Sequence, residues 1–178
     1  FCSTLDRETA KIVTFNVQKQ ARRTGRAVIA ATTHTDLLED LAPTVHIHKG
    51  WGRKIEVHYH PDKPNEACTV TRGMRITEGT VKDYKQLAEF HYRTSSCPPP
   101  RKVFTLKRKD DLCGVIVYSH PPPNTFGRSR VWKGTFQQLR EEMSTISRVV
   151  LHPKYRTTGL GVKLVKETLP LAGTPYVE

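Results

Sequence analysis

The alternation of apolar and polar residues divides the chain into short predicted strands and helices. Residues 44–48 and 54–60 alternate on either side of residues 50–52, Gly-Trp-Gly, which predicts a β-hairpin. Residues 28–31 form an uninterrupted apolar run. Such a run is typical of a strand that is buried on both faces, so we expect a sheet strand there.

A helix is predicted near the start of the chain. Apolar residues between positions 10 and 21 recur at helical spacing. We expect Ser3 to cap this helix together with Asp6, which lies three residues further on. Gly25 supplies a left-handed stop after the last turn.

From residue 68 onward the predicted elements follow the order of a mixed sheet with helices. Predicted strands cover residues 68–76, 102–107, 113–119, 144–153 and 174–178, and predicted helices follow Thr80, Thr135 and Gly159. The polar, proline-bearing residues 61–67 show no periodicity and form a natural boundary. We therefore predict two domains, residues 1–66 and 67–178.

Composition narrows the class of protein. No apolar stretch approaches the roughly 20 residues needed to span a membrane. The cysteines, which are too sparse for a disulfide framework, are Cys2, Cys68, Cys97 and Cys113. We therefore expect a cytoplasmic protein. The net charge of +12 is uneven, because residues 1–67 carry 10 basic and 8 acidic side chains and residues 68–178 carry 19 and 9. This distribution fits an anionic ligand or nucleic acid.

Residues 156–161, Arg-Thr-Thr-Gly-Leu-Gly, connect a predicted strand to a predicted helix. We call this segment the glycine turn. Backbone N–H groups at the start of a helix point outward, and the helix dipole is positive there, so such a turn suits a phosphate group. A side chain at Gly159 or Gly161 is expected to keep a phosphate away or to crowd the turn.

The glycine turn resembles the acyl-CoA-binding motif of the GNAT acetyltransferases, with Arg156, Gly159 and Gly161 at the motif positions. The resemblance implies a GNAT-like α/β fold, in which a mixed, mostly antiparallel sheet is flanked by helices. It also implies acetyl-CoA as cosubstrate, with its pantetheine arm along the preceding strand. The implied acyl-CoA-binding residues are Val149, Val150, Leu151, Arg156, Thr157, Thr158, Gly159, Leu160, Gly161 and Val162.

The implied reaction transfers an acetyl group from acetyl-CoA to an amine. The amine must lose a proton, the oxyanion needs a donor and the thiolate needs an acid. The backbone N–H near Val150 or Leu151 is the expected oxyanion donor. The catalytic residues remain unknown, since none of the candidate bases lies in a motif that assigns its role. These candidates are Glu141, Glu142, His91 and His120.

Residues 3–6, Ser-Thr-Leu-Asp, resemble the D-loop of ABC-type ATPases, and His34 resembles the switch histidine of that family. The resemblance implies the C-terminal α/β remnant of a P-loop ATPase domain, with Asp6 and His34 as ATP-sensing residues. No G-x-x-x-x-G-K-[ST] phosphate loop occurs in the sequence. We therefore expect a fragment of a prokaryotic ABC ATPase–acetyltransferase fusion, which binds ATP and Mg²⁺ and dimerises through its ABC domain only at full length.

Four histidines of the predicted hairpin leave a second interpretation open. His46 and His48, and likewise His58 and His60, lie at same-face spacing within their strands. A metal cluster is conceivable, but no cysteine or carboxylate pattern supports a closed zinc site. We predict a polar strand surface and no metal.

Two functions from different classes follow from the sequence. The first is an acyl-CoA-dependent N-acyltransferase with an amine acceptor, coupled to an ABC-type ATPase in the full-length protein. The alternative is a soluble ABC ATPase associated with nucleic acid or ribosomes, whose GNAT-like domain is only a binding module and catalyses no reaction. Titration with acetyl-CoA distinguishes them, and we expect Gly159→Val to weaken binding severely and Gly161→Ala mildly.

Overall fold

The computed structural model describes residues 1–61, 63–91 and 96–178. These residues form two compact units, Phe1–Arg72 and Gly73–Glu178. Asp62, which belongs to the predicted boundary segment 61–67, lies outside the described residues. No helix of the described ranges is long and apolar enough to cross a bilayer.

The first unit begins with helix α1, Arg7–Thr24. The side chain of Asp6 caps it by accepting a hydrogen bond of 3.1 Å from the N–H of Thr9. The prediction that Ser3 is the cap is therefore wrong, because the Asp6 carboxylate already satisfies an N–H of the first turn. Gly25, with a φ of 66°, ends the helix as predicted.

A second, short helix is held by a buried carboxylate. The 3₁₀ turn Thr35–Leu37 leads into α2, Leu38–Leu41. Asp40 of α2 is fully buried, and its carboxylate accepts hydrogen bonds from the N–H and the hydroxyl of Thr69. This contact ties α2 to the 3₁₀ turn Thr69–Thr71, near the end of the unit.

The predicted hairpin is confirmed. Strands β1, Val45–Lys49, and β2, Ile55–Tyr59, pair in antiparallel fashion, with Ile47 opposite Val57. His46 lies directly opposite His58, and their rings stack with centroids 5.9 Å apart. Across the described residues, no group of three or more His, Cys, Asp or Glu side chains is arranged to hold a metal ion.

The predicted buried strand at residues 28–31 is wrong. Ile29 is fully exposed and Val28 is about half exposed. Among residues 1–61 and 63–72, the only strands are β1 and β2, and they pair with each other, so this run has no ladder to join. The carbonyl of Ala31 instead accepts a hydrogen bond of 2.7 Å from the amino terminus of Phe1. The described part of this unit therefore contains no parallel sheet of the P-loop ATPase kind.

The second unit contains a five-stranded sheet in the order β3-β4-β5-β6-β7. Its strands are β3 (Met74–Glu78), β4 (Pro100–Arg108), β5 (Asp111–Ser119), β6 (Met143–Leu151) and β7 (Tyr176–Val177). Its helices are α3 (Val81–Leu87), α4 (Arg128–Val131), α5 (Phe136–Glu142) and α6 (Leu160–Thr168). Strands β3 to β6 pair in antiparallel fashion and β7 pairs parallel to β6, so the predicted mixed, mostly antiparallel sheet is confirmed.

Strand β5 lies at the centre of this unit. Val115 and Val117 of β5 join Tyr84 and Leu87 of α3 in one buried cluster. The hydroxyl of Tyr118 forms a hydrogen bond of 2.8 Å with Thr168 of α6. Because successive side chains of a strand point to opposite faces, α3 and α6 cover the two faces of the sheet.

The first strand of this sheet starts later than predicted. The sequence placed it at residues 68–76, whereas β3 begins at Met74. Gly73 has a φ of 74°, a left-handed conformation that interrupts an extended chain. The predicted capping pair of α3 is confirmed, since the N–H of Thr80 donates to Asp83 at 2.7 Å.

Candidate functional site

Strand β6 has one edge that is only partly paired. Met143 and Ser144 pair with β7, and the N–H of Ile146 donates to the carbonyl of Glu178 at 2.8 Å. Among the described residues, no strand pairs with residues 148–151 on this side, whereas β5 pairs with them on the other. The second half of β6 therefore presents a strand edge that an extended ligand can join.

A β-bulge marks the change along β6. Val117 pairs with Arg148 and Tyr118 with Ile146, which leaves Ser147 as an extra residue. The Ser147 hydroxyl donates to the carbonyl of Val117 at 3.1 Å. This bulge lies where β6 and β7 separate. Bulges bend a strand and increase its twist, which helps to move β6 away from β7.

The glycine turn follows the free end of β6. Thr157 and Gly159 have φ values of 67° and 86°, and Gly159 is the N-cap of α6. In α6, the N–H of Lys163 donates to the carbonyl of Gly159 at 3.1 Å, which is the first hydrogen bond of the helix. The amides of residues 160–162 precede it and are the unpaired donors that every helix start presents. An α6 of nine residues adds the positive end of its dipole at the same point.

The space around the two glycines is open. A Cβ added to Gly159 would meet no atom within 4 Å, and one added to Gly161 would lie 3.6 Å from a methyl of Leu151. The expectation that a side chain would crowd the turn is therefore wrong. The cost at Gly159 is conformational, because its φ of 86° is unfavourable for residues with a Cβ.

Arg156 holds the turn against the sheet. Its guanidinium donates to the carbonyl of Leu151 at 3.3 Å and to that of Phe90 at 3.0 Å. The Phe90 ring in turn packs edge-on to His152, with centroids 5.1 Å apart. The structure thus shows Arg156 positioning the turn through two backbone carbonyls.

The remaining residues of the predicted acyl-CoA site lie on both sides of β6 and in the turn. Val150 is buried in the core and Val149 is exposed on the opposite face. Thr158 is buried, and its hydroxyl donates to the carbonyl of Tyr155 at 2.6 Å. The chain fold brings the predicted residues together at the end of one strand and the start of one helix. Their role in ligand binding stays a prediction.

The four candidate bases do not lie together. His120 follows Ser119, which pairs with Thr145 near the start of β6. At about 3.3 Å per residue, this position is about 20 Å along the strand from Leu151. Glu141 and Glu142 end α5 directly before β6. His91 instead follows Phe90, on the side of the glycine turn.

His120 has the most distinctive surroundings of these candidates. Its Nδ1 lies 3.1 Å from the guanidinium of Arg101. Partial burial lowers the pKa of His120, and the charges of Arg101 and Arg140 lower it further. The imidazole is therefore neutral at neutral pH, which is the form that accepts a proton.

A partly buried ion pair beside β6 could not be found from local sequence patterns. The Arg128 side chain is 8% exposed and forms two hydrogen bonds with the carboxylate of Glu178, at 3.0 and 2.6 Å. The guanidinium also donates to the carbonyls of Pro122 and Pro123. Thr145 of β6 donates to the same carboxylate at 2.8 Å. Arg128 and Glu178 are separated by 50 positions, so no short motif announces the pair.

The residues expected to sense ATP lie in the first unit. The Asp6 carboxylate caps α1, and His34 is partly buried at the start of the 3₁₀ turn Thr35–Leu37. Arg7 and Asp36, their neighbours in sequence, form an exposed ion pair. The ATP-sensing roles of Asp6 and His34 stay predictions.

Comparison with solved structures finds distant likenesses, including the following one. A crystal structure described as a "Putative Acetyltransferase" from Pyrococcus horikoshii matches with a TM-score of 0.35 at 14% sequence identity. The match covers 58% of this chain and 79% of that one. A likeness at this level carries no argument about function. No protein-family model matches the chain, and no curated protein matches it.

Proposed function

We propose that the second unit is an acyl-CoA-dependent N-acyltransferase domain that transfers an acetyl group to an amine. The observation that carries the proposal is the partly paired β6 edge leading directly into the glycine turn and the start of α6. A strand edge offers amide partners to an extended arm, and a helix start offers donors to phosphates. This arrangement therefore suits a cosubstrate that has both an extended arm with amide groups and a phosphate-bearing end.

The residues present fit acetyl-CoA. The amides of Leu160, Gly161 and Val162 would bind the pyrophosphate oxygens, and the absence of a Cβ at Gly159 leaves the approach to them open. The backbone of residues 148–151 would pair with the amides of the pantetheine arm. Acetyl-CoA supplies the acetyl group as a thioester, and the amine acceptor supplies the nucleophile.

The proton acceptor is expected near the start of β6. A cosubstrate with its phosphates at the glycine turn and its arm along β6 would place its acyl end toward the other end of the strand. The expected oxyanion donor near Val150 or Leu151 does not fit this placement, because those residues lie at the turn end of β6. His120, Glu141 and Glu142 lie at that end, whereas His91 lies beside the turn. We therefore favour the first three as bases, with neutral His120 foremost.

The proposal has a second part, which is coupling to an ABC-type ATPase in a longer protein. It rests on the resemblance of residues 3–6 and His34 to that family.

Isothermal titration of the full chain with acetyl-CoA tests the main proposal. We expect binding by the wild type, a mild loss for Gly161→Ala and a severe loss for Gly159→Val. The Gly161→Ala methyl makes only an ordinary contact with Leu151, whereas a valine at position 159 fills the approach to the amides.

Gly73→Val is the matched control for strain. Gly73 has a φ of 74° and open surroundings, as Gly159 has, but it precedes β3, which lies three strands from β6 in the sheet. It should lose stability to a similar degree and keep acetyl-CoA binding. Absence of binding by folded wild-type protein, or equal loss in both valine variants, would refute the proposal.

A further inference from the structure

The connection between β5 and β6 carries a concentration of positive charge. Residues 121–140, which we call the basic segment, contain Arg128, Arg130, Lys133 and Arg140 and no acidic residue. Glu178 neutralises Arg128 from outside the segment. Arg140 directly precedes Glu141 and Glu142, but Arg130 and Lys133 lie at least eight positions from an acidic residue. Their charge makes the surface around them a match for an anionic partner.

Three aromatic side chains are exposed or partly exposed on the same segment. Phe126 is 96% exposed and Phe136 is 57% exposed, and Trp132 is partly buried. The guanidinium carbon of Arg130 lies 6.0 Å from the centroid of the Phe126 ring. Exposed aromatic rings beside cations are the combination on which unpaired bases stack.

These side chains line one groove. A cavity of about 660 Å³ lies among Asn124, Phe126, Trp132, Lys133 and Phe136, with Ser129 on its wall. The Trp132 ring lies so close to Gly134 that a Cβ there would be 2.6 Å from the ring. The Trp132 ring therefore packs directly against the backbone of Gly134.

The basic segment is held in place before any partner arrives. The hydrogen bonds of Arg128 join Pro122, Pro123 and Thr125 of the segment to Glu178 beside β6. A preorganised surface loses less conformational entropy on binding than a mobile one. The arrangement therefore has the properties of a binding surface.

We propose that the basic segment binds single-stranded nucleic acid, with bases stacked on Phe126, Trp132 and Phe136 and phosphates beside Arg130 and Lys133. A duplex hides its base faces and does not fit rings of this kind. A concave groove with polar Asn124 and Ser129 on its wall favours bases over insertion into a lipid surface. This binding does not depend on acyl transfer, and its variants leave the glycine turn intact.

Fluorescence anisotropy with a labelled oligothymidylate of about twelve nucleotides tests the proposal on the full chain. We expect the single strand to bind more tightly than a duplex of equal length. Phe126→Ala should weaken binding about tenfold, which is the size of a lost base–aromatic stack. Arg130→Met should reduce the slope of log K against log salt by about 0.7, the value for one phosphate contact on a single strand.

Trp51→Ala is the control for nonspecific attraction. Trp51 is 99% exposed on the hairpin of the first unit, and its sequence neighbours Lys49, Arg53 and Lys54 are basic. The Trp51→Ala variant should bind the oligonucleotide with the same affinity as the wild type. Both Phe126 and Arg130 are exposed, so their variants are expected to fold, and circular dichroism checks this.

Several results would overturn the proposal. They are no binding at low salt, an equal loss in Trp51→Ala, equal affinity for thymidine monophosphate, and equal affinity for polyglutamate or anionic vesicles. Acetyl-CoA titration of the Phe126→Ala variant separates this proposal from the acyltransferase proposal, because that variant should bind acetyl-CoA normally.

Discussion

Replacing Arg128 with methionine should destabilise the second unit and release the basic segment. The arginine side chain is 8% exposed and that of Glu178 is 23% exposed, so little water reaches the pair. Methionine keeps much of the side-chain length but removes the charge and every donor. The Glu178 carboxylate then retains the hydroxyl of Thr145 at 2.8 Å as its closest hydrogen-bond donor.

The expected loss in free energy of unfolding is about 3 kcal/mol. Removing one partner of a buried ion pair costs roughly 3–5 kcal/mol, and the partial exposure of Glu178 points to the lower end. Removing both charges, in Arg128→Met with Glu178→Leu, should cost less than Arg128→Met alone. No carboxylate is then left buried without its partner.

Urea unfolding followed by tryptophan fluorescence measures these differences. In a Trp51→Phe background, Trp132 reports on the second unit alone. Arg130→Met is the matched control. It removes the same charge two positions further along the chain, and the side chain of Arg130 is exposed. It should change the free energy of unfolding by no more than about 0.5 kcal/mol. Equal effects of Arg128→Met and Arg130→Met would refute the reasoning.

The same pair predicts a dependence on pH. Hydrogen bonding by Arg128 is the main cause that holds the pKa of Glu178 below its ordinary value of 4.5. A carboxyl group with a lowered pKa in the folded state stabilises the fold above its unfolded pKa. That stability is lost as the pH falls through the folded pKa. The difference between wild type and Arg128→Met should therefore be full at pH 7 and shrink below about pH 4.5.

Two further predictions concern single positions. Thr157→Gly should raise the free energy of unfolding of the second unit by about 1 kcal/mol, because threonine there has a φ of 67°. Urea unfolding reports this, and a loss of stability would contradict the strain. Asp40→Ala should lower the stability of the first unit by about 2 kcal/mol, since it removes a fully buried acceptor of two hydrogen bonds from Thr69. Urea unfolding followed by circular dichroism, to which the 18-residue helix α1 of this unit contributes, would show it, and unchanged stability would count against that role.

Local patterns were sufficient where the governing contacts are themselves local. The hairpin follows from alternation around Gly50 and Gly52, and α3 follows from the Thr80–Asp83 capping box. The strand, turn and helix around Gly159 follow from an apolar run, a glycine pair and helical spacing. In each case, neighbours within a few residues determine the conformation.

Distant partners account for what the sequence did not reveal. Residues 28–31 have the composition of a buried strand, but a strand also needs a neighbour to pair with. The Ser147 bulge depends on the register with β5, which no local pattern specifies. The Arg128–Glu178 pair joins the β5–β6 connection to the residue after β7, so charge counting alone could not place it.

The two edges of β6 give one strand two kinds of backbone amide. On the β5 side, its ladder adjoins a central strand that is covered on both faces and paired on both edges. Amides of that kind exchange with solvent only when the whole unit opens. On the other edge, beyond the short contact with β7, amides exchange without any unfolding. β6 therefore carries protected amides on one edge and solvent-accessible amides on the other. The ladder with β5 keeps the accessible amides in a fixed extended conformation.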